Sequence, residues 1–255
     1  MLRIIPVLLV LVPAIAFAAA PSPDAFSWQP HPGVTVPLGQ AFTDETGRSV
    51  TLREFSGESV VLALGYFHCS TLCGVVRGDL VAALNDSGLV GGRDYRLVVL
   101  SIDPTETAKD AAAAKAGDLA QSSGLDGRDW HYLVGDAASV ARSVGFPYRY
   151  DEQLQQFAHP AGLVVLTASG TVSSYLEGVG YSGKSLRSAV EQAAAGHVAD
   201  APSPVLLLCF RYDAATGRYT LAIERLLQLL AGATILGIAG LLIVLHRRRR
   251  AQRVT

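Results

Sequence analysis

The sequence predicts an α/β fold in which strands and helices alternate along one exported domain, followed by a single transmembrane helix near the C-terminus. Three observations carry this. The apolar runs "SVVLALGY" (59–66) and "YRLVVLSID" (95–103) suit buried strands, and each precedes a segment with helical spacing or composition. "LVVLT" (163–167) and "VSSYLEG" (172–178) flank the turn Ala168-Ser169-Gly170 as a hairpin, and a helical stretch at 185–195 closes the domain. Residues 226–245 form an uncharged stretch of 20 residues, enough to cross a hydrocarbon core of about 30 Å.

From the start of the chain, residues 1–18 carry Arg3, an apolar run and the small-residue pattern Ala16-Phe17-Ala18. This suits a secretory signal peptide cut after Ala18, with an uncleaved anchor as the alternative. Residues 19–34, rich in proline and small side chains, read as a linker or an irregular lead-in to a domain over 35–200. Within the domain, Asp44-Glu45-Thr46-Gly47 marks a turn and "SVTLREF" (49–55) reads as a strand. After the strand 59–66, residues 75–84 have helical spacing. The strand 95–103 ends at Pro104, and the alanine-rich 106–119 is a helix. "WHYLVG" (130–135) and the helix-like 137–144 follow, then the predicted loop 146–162 and the terminal hairpin and helix. Strands alternating with helices in this way indicate a sheet with helices on its faces.

Residues 201–225 form a membrane-proximal segment, with Arg211, Tyr212, Asp213 and Gly217 marking a turn between two short pieces. The span 226–245 is followed by His246 and Arg247 to Arg250, so the tail 246–255 is expected on the cytoplasmic side. That predicts a single-pass protein of the cell inner membrane with its main domain on the periplasmic, outer side.

Residues 19–225 hold 15 Lys and Arg against 22 Asp and Glu, a net charge of −7. Such a surface repels phosphate backbones, which argues against nucleic acid as a partner.

The chemistry centres on "YFHCSTLCG" (66–74), where Cys69 and Cys73 stand four positions apart at the passage from strand to helix. Three roles are open: a structural staple, a redox couple or a metal site. A disulfide over so short a loop constrains the unfolded chain little. A thiol at a helix N-terminus, by contrast, has its thiolate favoured by free N–H groups and the dipole. Two soft thiolates also suit Cu(I), whereas a closed zinc site wants four protein ligands and no second cysteine pair exists. A third ligand is therefore sought. His68 is expected to point away from its neighbour Cys69 and to pack or support. His159, in "FAHPAG" before the strand 163–167, is the better candidate if loops at one rim of a parallel sheet converge. Cys209, in "LLLCFRYD", reads as a buried small apolar residue or as a reactive thiol. The other histidines suggest no role.

Together, Tyr66-Phe67-His68-Cys69-x-x-x-Cys73, Ser101-Ile102-Asp103-Pro104 after the next strand, and His159 before the last hairpin resemble the Sco/SenC group of thioredoxin-like copper proteins, over roughly residues 34–196. The resemblance implies a thioredoxin-like domain and a bound copper ion held by Cys69, Cys73 and His159. It also implies a role in supplying copper to, or acting on the thiols of, the binuclear copper centre of cytochrome c oxidase. The partners would be the copper-centre subunit of that oxidase or another copper carrier, and the membrane. The segment "LLLCFRYDAATGRY" before a membrane span is similar to a C-terminally anchored branch of the group. Ser70 and Gly74 depart from the prolines common at those places and loosen the loop backbone. Pro160 either presents His159 through a cis bond, as thioredoxin-like folds do beside the reactive thiol, or is an ordinary trans loop proline. The alternative function is a thiol-disulfide oxidoreductase with Cys69 attacking and Cys73 resolving. A thiol peroxidase would need threonine where Tyr66 stands.

Overall fold

Two strands without a charged side chain, β3 (Ser59–Gly65) and β8 (Gly162–Leu166), pair inside a seven-stranded sheet. The computed structural model describes residues 26–69, 72–199, 210–213, 218–221, 231–238 and 240. With β1 (Ala41–Asp44), β2 (Ser49–Thr51), β4 (Tyr95–Ser101), β5 (Trp130–Val134) and β9 (Val172–Glu177), the sheet order is β2-β1-β5-β4-β3-β8-β9. Strands β3, β4 and β5 are parallel, while β1 runs antiparallel to β5 and β8 antiparallel to β3.

Alternation along the strands divides the core into two layers. Val61, Ala63, Leu97, Val99, Leu163 and Val165 face α1 (Leu72–Ser87) and α4 (Gly183–Ala194), which contribute Leu80, Leu84, Leu186 and Val190. Leu62, Leu64, Val98, Leu100, Val164 and Leu166 face the short α3 (Ala138–Ser143) and Trp28. Each such aliphatic side chain contributes about 1.5–3 kcal/mol through burial.

The register places the site. Gly65 pairs with Ser101, so the segments leaving β3 and β4 emerge side by side. Because β8 is antiparallel to β3, the beginning of β8 lies at that same rim, with Leu163 opposite Ala63. The sheet is therefore mixed rather than parallel, and the histidine loop reaches the cysteines because it precedes a reversed strand.

Helix α1 extends beyond the predicted 75–84 at both ends, and other predicted elements also differ from those observed. "SVTLREF" is a strand only through Thr51; Leu52–Phe55 turn into a 3₁₀ helix, since the Thr51 N–H donates to the Glu54 carboxylate at 2.7 Å. The predicted loop 146–162 contains a hairpin, β6 (Arg149–Asp151) with β7 (Gln156–Ala158). Asp151 caps its turn by accepting from Gln153 and Leu154 N–H, and Tyr150 packs on Phe157. Helix α2 (Ala108–Ala120) begins two residues later than predicted, because the Thr107 N–H donates to the Asp110 carboxylate and makes Thr107 the cap. Glu106 is thereby released from the helix.

The described part of the lead-in is docked on the domain. Trp28 packs on Phe146 and Tyr175, and its indole N–H donates to the Ala161 carbonyl at 2.8 Å. Gly145 (φ +65°) is required there, since a Cβ would lie 1.6 Å from the Gln29 oxygen. Near the other end, β10 (Phe210–Asp213) pairs antiparallel with β11 (Arg218–Leu221), so Arg211, Tyr212 and Asp213, read from the sequence as part of a turn, are strand residues, and Gly217 lies outside the described residues. Residues 231–238, within the predicted span, are helical, and among the described residues no helix is long and apolar enough to cross a membrane. The predicted signal peptide, Ser70 and Cys209 lie outside the described residues.

Candidate metal and thiol site

Strand β3 delivers Tyr66 to the rim, the chain turns through Phe67 and His68, and α1 starts at Leu72, so Cys69 precedes the helix and Cys73 lies in its first turn. The two sulfurs are not joined in a disulfide. Their environments differ. Half-buried Cys69 places its sulfur 3.4 Å from the Cys73 N–H, which donates to it from the open end of the helix. Cys73 is 4% exposed, and burial, followed by the nearby Cys69 thiol, pushes its pKa up to about 12. The lowering expected of a thiol at a helix end does not hold for Cys73, which burial pushes up.

His159 joins Cys73 across the rim, with Nε2 3.2 Å from the thiol sulfur. Its Nδ1 lies 2.8 Å from the Pro160 carbonyl, an acceptor only, so Nδ1 carries the proton and Nε2 turns a lone pair toward Cys73. Burial lowers the histidine pKa against the smaller opposing effect of that carbonyl, which keeps the ring neutral. No peptide bond among the described residues is cis, so Pro160 is the trans alternative and acts through its carbonyl. Phe146 stacks on the imidazole with centroids 5.3 Å apart, and Tyr66 meets it edge-on at 6.0 Å. A neutral imidazole oriented by a backbone carbonyl and fixed between rings is ready to serve as a soft-metal ligand or a thiol acceptor.

The structure thus brings two of the three predicted ligands, Cys73 and His159, into contact, and the third, Cys69, lies beside Cys73 and accepts its N–H. Among the described residues no group of three His, Cys, Asp or Glu side chains is already gathered around a metal position. His68 is no ligand here: its ring is held by Glu106 (Nδ1, 3.0 Å) and Asp110 (Nε2, 3.4 Å), away from the sulfurs. This is the supporting role expected for it, although its side chain is 66% exposed.

Three neighbours escaped the sequence reading. Tyr66 was read as the end of a strand, as the first residue of the resembling motif and as standing where a thiol peroxidase needs threonine, but not as a neighbour of the thiols; burial, then contact with Cys69, pushes its phenol above the ordinary range. Phe146, which stacks on His159, was placed in a loop. Glu106 was placed inside a helix. The Thr107-x-x-Asp110 capping pattern was the available signal that Glu106 precedes the helix.

The SCO1/SenC family model matches residues 37–194. No curated protein matches the chain. Among solved structures, a protein of Aquifex aeolicus VF5 shares 22% identity, covering 64% of this chain and 94% of its own, with a TM-score of 0.57. Copper-bound ScoI of Arabidopsis thaliana shares 19% identity, covering 62% and 96%, with a TM-score of 0.51. A SCO1/SenC family lipoprotein of Bacillus anthracis shares 15%, covering 66% and 95%, also with a TM-score of 0.51. At these identities the likeness establishes a shared fold.

Proposed function

The chain belongs to the SCO1/SenC family of thioredoxin-like proteins, and from that premise we propose that it is a membrane-anchored copper chaperone that helps assemble the copper centre of cytochrome c oxidase. The observation that carries this reading is the contact between Cys73 and His159, with the imidazole lone pair aimed at the sulfur. One nitrogen and two thiolates form a donor set that suits Cu(I). Copper is the cargo, held by Cys69, Cys73 and His159. Cys69, whose thiol already lies beside Cys73, completes the set. Loading displaces the proton that burial keeps on Cys73, so binding strengthens as pH rises. Transfer proceeds by ligand exchange, with incoming thiolates of the copper-centre subunit or another carrier replacing these donors one at a time.

The proposal includes the setting. A signal peptide over 1–18 exports the domain, a transmembrane helix over 226–245 anchors it, and the arginine tail stays in the cytoplasm. The domain then faces the periplasm beside its membrane target. Externally added protease digests the domain and spares a tag on the tail; the reverse pattern removes this topology.

The test of function is copper bound to the reduced protein beside its Cys69→Ala and His159→Ala variants. One copper per chain, lost in the first variant and weakened about tenfold or more in the second, is the expected result. A second reading, a thiol-disulfide oxidoreductase, draws on the unequal burial of the thiols: Cys69 is placed to attack and Cys73 to resolve. Absence of copper binding together with rapid reduction of a disulfide client would transfer the assignment to it.

A further inference from the structure

The carboxylate of Glu106 is 1% exposed and, among the described residues, pairs with no lysine or arginine, yet it is well partnered. One oxygen accepts from the Phe67 N–H at 2.9 Å and from the Ser101 hydroxyl. The other accepts from the His68 N–H at 2.7 Å and meets the His68 ring at 3.0 Å. Two consecutive backbone N–H groups immediately before Cys69 therefore end on one side chain from another strand's loop. A buried carboxylate is a costly tie where neutral groups would serve, unless its position matters.

We infer that Glu106 is the positioning residue of the thiol loop: it fixes the backbone of Phe67 and His68, and through them the separation of Cys69 from Cys73 and His159. The inference deepens the copper reading and rests on it in taking the Cys69–Cys73 pair as the working site. The geometry explains why each partner is needed. Ser101, fully buried at the end of β4, holds one Glu106 oxygen and also accepts the Asp103 N–H, tying the carboxylate to the "SIDP" turn. His68 bridges Glu106 to Asp110 in the first turn of α2, so the helix start is tied to the same loop. Because β3 and β4 end in register, a side chain leaving β4 is the nearest group able to reach these N–H donors. Glu106 acts on the sulfurs through the Phe67 and His68 backbone that it holds.

The test compares Glu106→Gln, an isostere with only one oxygen left to accept, with the wild type and with Asp44→Asn, a buried carboxylate variant remote from the thiols. Three quantities are read on the folded, reduced, full-length protein: the alkylation rate of Cys69, the equilibrium constant of the Cys69–Cys73 disulfide against a glutathione buffer, and retention of Cu(I) against a chelator. Glu106→Gln is expected to speed alkylation severalfold, to move the disulfide constant severalfold and to weaken copper retention about tenfold, as loss of a supporting partner does at metal sites. Asp44→Asn moves none of them. If Glu106→Gln proves unfolded, Ser101→Ala, which withdraws one hydrogen bond from the carboxylate and leaves the carboxylate in place, is expected to shift the same quantities in the same direction by a smaller factor. A folded Glu106→Gln, or failing that Ser101→Ala, with alkylation and disulfide constant unchanged overturns the positioning role. Failure of the wild type to bind copper overturns the chaperone reading alone, because the two thiol measurements need no metal.

Discussion

Asp44 and Glu106 are buried carboxylates that use the same device at opposite scales. Asp44, 2% exposed, accepts from the N–H groups of Thr46 and Arg48 and the Thr46 hydroxyl, and pairs with the Arg48 guanidinium. All its partners lie within four residues, so it organises its own turn. Glu106 takes backbone donors 38 and 39 residues away and ties together two loops at the functional rim. The local clamp completes a turn and serves stability. The distant one sets the geometry of a reactive pair, and any change in it is felt by the sulfurs.

The largest effect is expected from Glu106→Ala, which strands two backbone N–H groups and a buried hydroxyl. A stability loss of about 3 kcal/mol or more in urea unfolding is expected. A loss below about 1 kcal/mol would break the comparison by showing that water replaces the side chain freely.

Asp44→Asn is next. Burial raises the Asp44 pKa, but the hydrogen bonds from Thr46 and Arg48 together outweigh it and hold it near 2, below the ordinary 3.8. Because the folded value is the lower one, the stabilisation is present above about pH 4 and fades as the pH falls toward 2. Its size is roughly 2 kcal/mol. Unfolding measured between pH 7 and pH 2 is expected to lose this increment in the wild type and not in Asp44→Asn, with Cys69 alkylation equal in both. A change in alkylation would erase the distinction between a local and a site-directed clamp.

A tenfold contrast, smaller in free energy, is expected between the two thiols themselves. In the copper-free reduced protein near pH 8, a thiol-alkylating reagent should modify Cys69 at least about tenfold faster than Cys73, whose pKa is pushed up to about 12 by burial. Peptide mapping of the label decides it, and equal rates would place Cys73 nearer to solvent than its 4% exposure implies. The smallest effects come from Thr46→Val and Ser101→Ala, each removing one hydroxyl from a clamp. Both are expected to lower stability by about 1 kcal/mol, and only Ser101→Ala should alter the thiols.

How far each feature was legible follows the same division. The buried strands 59–65 and 95–101, the final hairpin and helix, and the strand-to-helix position of the cysteines were visible because periodicity and turn residues act over a few positions. His159 was found as a candidate from its place before a strand, although the argument assumed a parallel sheet; the contact arises because β8 is reversed. The hairpin Arg149–Asp151 with Gln156–Ala158 was missed, since its three-residue strands, mostly exposed in β6 and half-buried in β7, lack a buried alternation. Glu106 was misplaced because an alanine-rich stretch looks helical through its start, and the capping pair Thr107 and Asp110 was overlooked.

By itself the sequence determined the α/β character, the location of the thiol pair and the family resemblance that the match over residues 37–194 bears out. These depend on residue type and short spacing, which a linear chain carries directly. Tertiary structure decided the rest: that Cys73 is a buried thiol whose pKa burial pushes up, that a trans Pro160 carbonyl orients His159, and that a carboxylate from the next strand holds the loop before Cys69. Burial and long-range hydrogen bonds exist only once β3, β4 and β8 have paired, so no local pattern in the chain specifies them.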